Sequence, residues 1–286
     1  MMSFAYAQSF TVLDDYVLDG VSAPSVAHNG RRWVMLFEQR EAPVQGCVET
    51  WSLGQAVSND GEHFMPIGYS FGGPGAFSAC GSRSPSLVVT DDHHIAVAFE
   101  AVQADGSVRI AIADNSVVPM VVREATELAG LVQPSLMRHD GTWYLMALDP
   151  AQGLMLAEGS LAAFVLDPVP VIPTGAMTWA SSGIQTVTLN CFDDAMWPRT
   201  GFYSGRYGSD LSLGQFASNA AGSWYVSTVP YAMGVSTRGG FDSIDDGIDT
   251  AVYYDWTDGV GVPHIGVMVN GGIPDPALVY GRDCHP

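Results

Sequence analysis

The sequence predicts an all-β fold, a single five-bladed β-propeller that spans residues 1–286 and is closed by its amino-terminal strand. Period-2 alternation and β-branched or aromatic runs recur along the whole chain, and long helical periodicity does not occur. The 32 glycines and 17 prolines fall between these runs, where tight turns need them. A repeated sequence signature and two weaker units set the number of blades.

The signature occurs three times and defines the first three blades. Each copy reads Pro-Ser-hydrophobic, then a polar turn, then a second apolar strand, and the copies open at Ala23-Pro24-Ser25, Ser84-Pro85-Ser86 and Gln133-Pro134-Ser135. An Asn-Gly or Asp-Gly turn between two such runs is a strong hairpin signal. Proline is tolerated where a strand opens, since that position need not donate to the sheet. Units of about 50 residues suit four-stranded blades with variable loops.

Two weaker units complete the five. One opens at residues 185–189, and the other opens at residues 249–254 and returns through residues 264–269. Residues 9–13 are then the outer strand of the last blade, and a ring closed in this way removes exposed sheet edges. A β-sandwich is the rival fold, but sandwiches seldom repeat a Pro-Ser-hydrophobic signature three times.

Composition excludes several classes of function. Lys plus Arg number 11 against 30 for Asp plus Glu, and the net charge of -19 repels phosphate backbones and anionic lipid. We therefore expect a small-molecule ligand or substrate, with no nucleic acid and no membrane as partner. All basic residues are arginine, which excludes a lysine Schiff base, a lysine general base and a phosphate-loop lysine.

The cysteines give no sign of a metal site. Cys47, Cys80, Cys191 and Cys284 are widely spaced, whereas zinc ligands normally come in close pairs. The amino terminus lacks a basic segment followed by an apolar one, so we expect a cytoplasmic protein with four reduced thiols. No cofactor is expected. Calcium is the minor alternative at one acidic loop, which is otherwise a solvated turn and contains Asp242, Asp245, Asp246 and Asp249.

The repeat resembles that of the five-bladed propeller glycoside hydrolases, a group that includes arabinanases, β-xylosidases, invertases and levansucrases. The Pro-Ser opening, the hairpin turn and the Trp/Tyr-rich second strand carry the resemblance, and residues 58–64 resemble the group's Ser-x-Asp-Gly-x-x-aromatic turn. The resemblance implies a carbohydrate-active protein. In such enzymes an acid and a base flank the scissile bond, and a third carboxylate tunes the acid.

The chain departs from the group where its catalytic carboxylates often lie. The three positions before the blade-opening prolines hold Ala23, Ser84 and Gln133, none of which transfers a proton as a carboxyl group does. Three classes of function stay open. The first is a glycosidase-like enzyme that acts on a small glycoside with displaced acid/base residues. The others are a non-hydrolytic cyclase, isomerase or lyase of secondary metabolism and a non-catalytic ligand-binding propeller.

The candidate site lies over the axial mouth, where blade-opening residues and second-strand ends share one face. The second strands end at Glu38, Glu100 and Asp149, which lie 14 or 15 residues after the blade prolines. Glu100 and Asp149 are the predicted proton-transfer pair, with Asp249 as a charge partner or metal ligand, because crowded carboxylates raise a pKa. The remaining predicted substrate-binding residues are Asp19, Glu38, Arg83, Gln133 and Gln185. The alternative is that these acids only cap strand ends in solvent.

Overall fold

Strands make up nearly all of the regular structure. The computed structural model describes residues 10–75, 77–90, 94–115, 121–177, 180, 183–191, 199–207, 210–219, 221–227, 231–232, 237–246, 249–276 and 283–284. Within these ranges the helical structure is one 3₁₀ turn at Thr126–Leu128, so the predicted all-β class is confirmed. The described chain contains no helix with the length and apolar character needed to span a membrane.

In the described residues, three successive antiparallel strands and an outer strand form a unit that occurs five times, and we call each unit a ladder, numbered one to five. The first strands are β2 (Val21–His28), β6 (Gly81–Val89), β10 (Val132–His139), β15 (Ile184–Cys191) and β20 (Thr237–Asp245). The second strands are β3 (Trp33–Arg40), β7 (Ile95–Val102), β11 (Thr142–Asp149), β16 (Arg199–Tyr207) and β21 (Thr250–Thr257). The third strands are β4 (Trp51–Ser58), β8 (Val108–Asp114), β12 (Gly153–Ser160), β17 (Asp210–Ser218) and β22 (Pro263–Asn270).

Short strands form the outer edges. The outer strands are β1 (Thr11–Asp19), β5 (Met65–Phe71), β9 (Val121–Glu124), β13 (Ala163–Leu166) and β18 (Trp224–Val226). Three two-residue strands complete the chain, namely β14 (Ile172–Pro173), β19 (Tyr231–Ala232) and β23 (Asp283–Cys284). β1 pairs antiparallel with β22 of the fifth ladder, which is the outer position predicted for the amino-terminal strand.

The fifth ladder begins earlier than predicted. Its first strand is β20, and the segment expected to open the unit, residues 249–254, contributes to the second strand instead. Gly240-Phe241-Asp242 stands where the first three ladders carry the x-Pro-Ser signature, so the sequence offers no Pro-Ser pattern there. The prediction for this unit was therefore wrong by one strand.

Apolar side chains fill the space between neighbouring ladders. Trp33 and Met35 of the first ladder lie in one buried cluster with Tyr253 and Val267 of the fifth. Complete burial of such a side chain stabilises the fold by about 1.5–3 kcal/mol. Tyr253 also donates its hydroxyl to the Gly61 carbonyl at 2.6 Å, so this buried oxygen has a partner.

The serine of the signature links each ladder to the next. Its hydroxyl oxygen accepts a main-chain N–H from the following first strand. These bonds run from Leu87 to Ser25, from Leu136 to Ser86 and from Leu189 to Ser135, each at 2.8 Å. A net contribution of about 0.5–1.5 kcal/mol is usual for such a bond, but a buried N–H left without an acceptor costs more. The serine thus has a structural role that explains its repetition.

Asp242 takes the position of the signature serine in the fifth ladder. Its Oδ1 accepts the Thr188 hydroxyl of the fourth ladder at 2.8 Å, and its Oδ2 accepts the Val26 N–H of the first ladder at 2.7 Å. One buried carboxylate therefore bonds to both neighbouring first strands. We call these contacts, together with the three serine bonds, the first-strand circuit.

Cys47 and Cys80 form a disulfide, with Cα atoms 5.6 Å apart. The bond ties the loop after β3 to the start of β6, where Gly81 lies so close to Trp51 that a Cβ would come within 1.7 Å of the Trp51 carbonyl oxygen. The expectation of reduced thiols is wrong for this pair, because a separation of 33 residues gave no pairing signal. Disulfides are typical of proteins in oxidising compartments. The cytoplasmic location stays a prediction. The side chains of Cys191 and Cys284 lie outside the described part.

We expect Cys47→Ser to lower the free energy of unfolding by about 3–4 kcal/mol, because the cross-link restricts the unfolded chain. Urea unfolding of the oxidised protein and the variant measures the loss. Cys80→Ser should lose the same amount, and the double variant no more than either. An unchanged unfolding midpoint in both single variants would show that the bond does not form in solution.

Candidate functional site

Three second strands carry, two residues before their end, a carboxylate that reaches the next ladder. In each case the carboxylate oxygen accepts the main-chain N–H of the residue directly before the signature proline. The bonds join Glu38 Oε2 to Ser84 N at 3.3 Å, Glu100 Oε1 to Gln133 N at 2.8 Å and Asp255 Oδ2 to Ala23 N at 3.2 Å. We call the face of the ladders where these bonds lie the site face.

The acceptors compensate an unusual backbone conformation. Ala23, Ser84 and Gln133 have φ angles of 46°, 49° and 55°, in the left-handed region. A residue with a Cβ pays roughly 1–2 kcal/mol there. Each also lies at an irregularity in the pairing of its first strand, where the N–H turns out of its own ladder. The neighbouring carboxylate gives that N–H a charged acceptor, which is the stronger kind of hydrogen bond.

Asp255 lies on the site face, and the sequence did not predict it. It is buried, and its Oδ1 accepts the Gly240 N–H at 3.0 Å. A Cβ at position 240 would lie 2.5 Å from Asp255 Oδ2, so only glycine fits beside this carboxylate. The sequence signal for Asp255 was its place near the end of a second strand. The prediction missed it because it treated β21 as the strand that opens the fifth unit.

Asp249 does not join the other predicted site residues. It lies in the turn between β20 and β21, where its N–H donates to Asp246 Oδ1 at 2.8 Å. Asp255 is six residues further along β21, roughly 20 Å for an extended strand. Asp249 is therefore at the far end of the ladder from the site face.

Arg83 and Glu100 form an ion pair on the site face, with Nε and Oε2 2.6 Å apart. The Glu100 side chain is 0% exposed and that of Arg83 36% exposed. Burial alone would lower the pKa of the guanidinium, but the Glu100 carboxylate outweighs it, and the pKa of Arg83 lies above its usual value. Both Glu100 oxygens are engaged, by Arg83 and by the Gln133 N–H. Glu100 thus positions these two residues and has no exposed surface for a ligand.

Glu38 has the electrostatic environment of a general acid. Burial raises the pKa of its carboxyl group, and the charge of Glu100 adds to the rise. The hydroxyl of Ser22, 2.7 Å from Oε1, and the Ser84 N–H oppose this shift without cancelling it. A raised pKa keeps the proton on the carboxyl group to higher pH, as acid catalysis requires.

Asp149 has the opposite environment. Its Oδ1 accepts the N–H groups of Ala151 at 2.8 Å and Gln152 at 3.1 Å, and its Oδ2 accepts the Gln152 side-chain amide at 2.9 Å. The Ala151 N–H is the largest cause of a pKa below the usual value; burial opposes it, and the two Gln152 hydrogen bonds add to the lowering. Asp149 is therefore an ionised, partly exposed carboxylate.

Asp149 is not the positional counterpart of the other two acids, as its offset from the proline had indicated. Glu38 pairs with Ser22 and Glu100 with Arg83, but in the third ladder the corresponding pair is Val132 with Leu148. Asp149 lies one residue beyond, at the strand end. Its carboxylate consequently bonds to its own turn and leaves the next ladder without an acid.

A cavity of about 380 Å³ opens between the third and fourth ladders. Three predicted site residues, Gln133, Asp149 and Gln185, line it together. Glu100 lies behind it, bonded to the Gln133 N–H. The volume of this cavity is in the range of small-molecule sites. A second cavity, lined by residues of all five first strands, holds only about 20 Å³, enough for a water molecule and not for a sugar.

Asp19 occupies a separate cluster in the fifth ladder. Its Oδ1 lies 2.8 Å from His264 Nδ1, and the buried His264 ring packs on Trp256 with centroids 4.8 Å apart. Asp258 Oδ2 lies 3.4 Å from the other ring nitrogen. Asp19 therefore fixes His264 and does not line the cavity beside Gln133.

The acidic loop shows no metal geometry. In the ranges that the structure describes, no group of three His, Cys, Asp or Glu side chains is placed to hold an ion. Asp242 belongs to the first-strand circuit, Asp245 accepts the Thr250 hydroxyl, and Asp246 accepts the N–H groups of Asp249 and Asp275. These bonds give the loop carboxylates structural partners, and the calcium alternative stays a prediction.

No protein-family model and no curated protein sequence matches the chain, but solved structures do. The β-1,2-mannobiose phosphorylase from Listeria innocua is 14% identical, with a TM-score of 0.65, over 94% of this chain and 92% of that one. The catalytic domain of a family 62 α-L-arabinofuranosidase from Coprinopsis cinerea is 13% identical, with a TM-score of 0.60, over 88% and 91%. A glycosyl hydrolase from Bacteroides ovatus is 13% identical, with a TM-score of 0.64, over 89% and 85%. The chain therefore has a glycosidase-like fold.

We expect Glu38→Gln to stabilise the fold relative to the wild type as pH rises. A carboxyl group whose pKa is raised on folding binds more protons in the folded state, so the wild type loses stability from about its ordinary pKa of 4.5 upward. The amide carries no such penalty. Urea unfolding between pH 4 and 8 should show a difference that grows with pH and then levels off.

Glu158→Gln, at an exposed position of β12, is the matched control for this series. It should follow the wild type across the pH range. A Glu38→Gln variant whose difference from the wild type is flat, or shrinks as pH rises, would contradict the assigned pKa direction.

Proposed function

We propose that residues 1–286 form one five-bladed β-propeller and act as a glycosidase-like enzyme on a small glycoside. Five four-stranded ladders support the blade count, and the hydrogen bonds from the fifth first strand to the first support a closed ring. β1 on the fifth ladder supports closure by the amino-terminal strand. The fold likeness to glycoside hydrolases and a mannoside phosphorylase supports a carbohydrate ligand, although fold alone is weak evidence of activity.

The observation that carries the proposal is a pair of carboxyl groups whose environments push their pKa values apart. Burial raises the pKa of Glu38, and main-chain N–H groups lower that of Asp149. Such a divergence is how two carboxyl groups divide acid and base work. We assign Glu38 as the acid that protonates the glycosidic oxygen. Asp149 is the ionised carboxylate that activates water or stabilises the positive charge on the sugar.

The remaining predicted residues take supporting roles. Glu100, expected as one member of the proton-transfer pair, is a positioning residue because it is enclosed. The partly exposed Arg83 and the two glutamines, Gln133 and Gln185, bind ligand hydroxyl groups. Asp19 and Asp249 lie outside this arrangement, and the mechanism needs no cofactor.

A non-hydrolytic enzyme of the cyclase, isomerase or lyase type is the second candidate. Two observations favour it. The residues before the signature prolines lack carboxylates, and the cavity beside Asp149 is lined mainly by apolar side chains. The same acid and carboxylate would then move protons on a substrate without a glycosidic bond.

We expect the wild type to hydrolyse members of a panel of aryl glycosides, and Glu38→Gln and Asp149→Asn each to lower kcat/KM by about 10²-fold or more. Colorimetric release of the aryl group measures this. Glu158→Gln should keep full activity. Full activity in both amide variants, with circular dichroism unchanged, would remove Glu38 and Asp149 from catalysis. If no glycoside is cleaved, the hydrolytic assignment fails.

Glu100→Gln tests the positioning role through the pH profile. The Glu100 charge helps to raise the pKa of Glu38, so its removal should shift the basic limb of kcat/KM to lower pH. A purely structural loss would lower activity at every pH and leave the limb in place. An unshifted limb would therefore contradict the role given to Glu100.

A further inference from the structure

We infer that the cavity between the third and fourth ladders is a subsite for an uncharged apolar group of the ligand. The inference deepens the proposed function and rests on it for the sugar part of the ligand. The cavity would hold the other part of the glycoside, an apolar aglycone. The evidence comes from the lining, from its charge and from the position of its polar groups.

The walls of the cavity are apolar side chains that the core covers only in part. They belong to Val132, Leu148, Ile172, Met177 and Ile184. Leu148 and Ile172 are buried members of a core cluster, whereas Val132, Met177 and Ile184 pack against that cluster and stay partly exposed. Their exposed apolar surface faces the cavity, and an apolar group that displaces water from it gains free energy.

The charge of the lining selects against ions. Asp149 is the one charged side chain among the described residues that line the cavity, and three N–H donors already surround its carboxylate. Arginine does not occur in this lining, so an anionic group would meet repulsion without a compensating cation. A cation would lose its water against the apolar walls and would find the Asp149 carboxylate already bonded to three N–H groups, so the ligand group that fits is neutral.

The polar groups lie together, which gives the ligand an orientation. Gln133 and Gln185 line the cavity from the first strands of the third and fourth ladders. The bond from the Gln133 N–H to Glu100 fixes the backbone that carries the Gln133 side chain. Side-chain amides donate to and accept from hydroxyl groups. A ligand with a hydroxylated end at the glutamines and an apolar part against Met177 and Ile184 satisfies both surfaces.

Straight-chain 1-alkanols from butanol to octanol test the subsite without knowledge of the sugar. Ligand-observed NMR titrations of the full-length protein should show affinity rising about fourfold per methylene group. Octanoate, of similar length but anionic, should bind at least tenfold more weakly than octanol. Met177→Asp places a charge in the cavity and should abolish the dependence on chain length.

Val165→Asp, at an exposed position of β13 in the same ladder, is the matched control and should bind the series as the wild type does. Equal affinity along the series, octanoate binding as tightly as octanol, or a Met177→Asp variant that behaves as the wild type would overturn the inference. These outcomes do not depend on glycoside hydrolysis. Failure of the subsite and failure of the proposed activity are thus separate results.

Discussion

A side-chain oxygen that accepts a hydrogen bond from a neighbouring ladder, supplied by four of the five first strands, is the contact on which the rest of the structure depends. Ser25, Ser86 and Ser135 supply it in three ladders, and Asp242 accepts from both of its neighbours. Apolar side chains fill much of the remaining space between ladders, and these contacts have little directional preference. The first-strand circuit therefore sets the register of the ladders, and with it the positions of the groups on the site face.

The site face depends on that register because its carboxylates bond across ladders. Glu38 and Glu100 each accept a main-chain N–H of the next ladder, and the same residues shape the electrostatics of the candidate site. Structural and chemical roles thus coincide. Glu100 is fully enclosed and bonds to Arg83 and to the Gln133 N–H. Burial raises the pKa of Glu38, whereas main-chain N–H groups lower the pKa of Asp149.

The sequence predicted best where a local signal had a structural cause. The Pro-Ser signature located three first strands because its serine is required for the first-strand circuit. The fifth ladder carries glycine and Asp242 at those positions, so its first strand was missed and Asp249 was chosen where Asp255 belongs. Counting from the prolines could not show that Leu148, one residue before Asp149, is opposite Val132, because the hairpin loops between the first and second strands differ in length from ladder to ladder. The disulfide and the cavity bring together distant segments, and neither has a local pattern.

Native-state hydrogen exchange at the Val26, Leu87, Leu136 and Leu189 amides tests the central claim most directly. These are the four N–H groups that the first-strand circuit holds. If the circuit joins the ladders into one cooperative unit, all four should exchange only by global unfolding, with the same free energy as that measured in urea. Fast exchange at any one of them, with the others protected, would show that the ladders separate at that junction and would contradict the account.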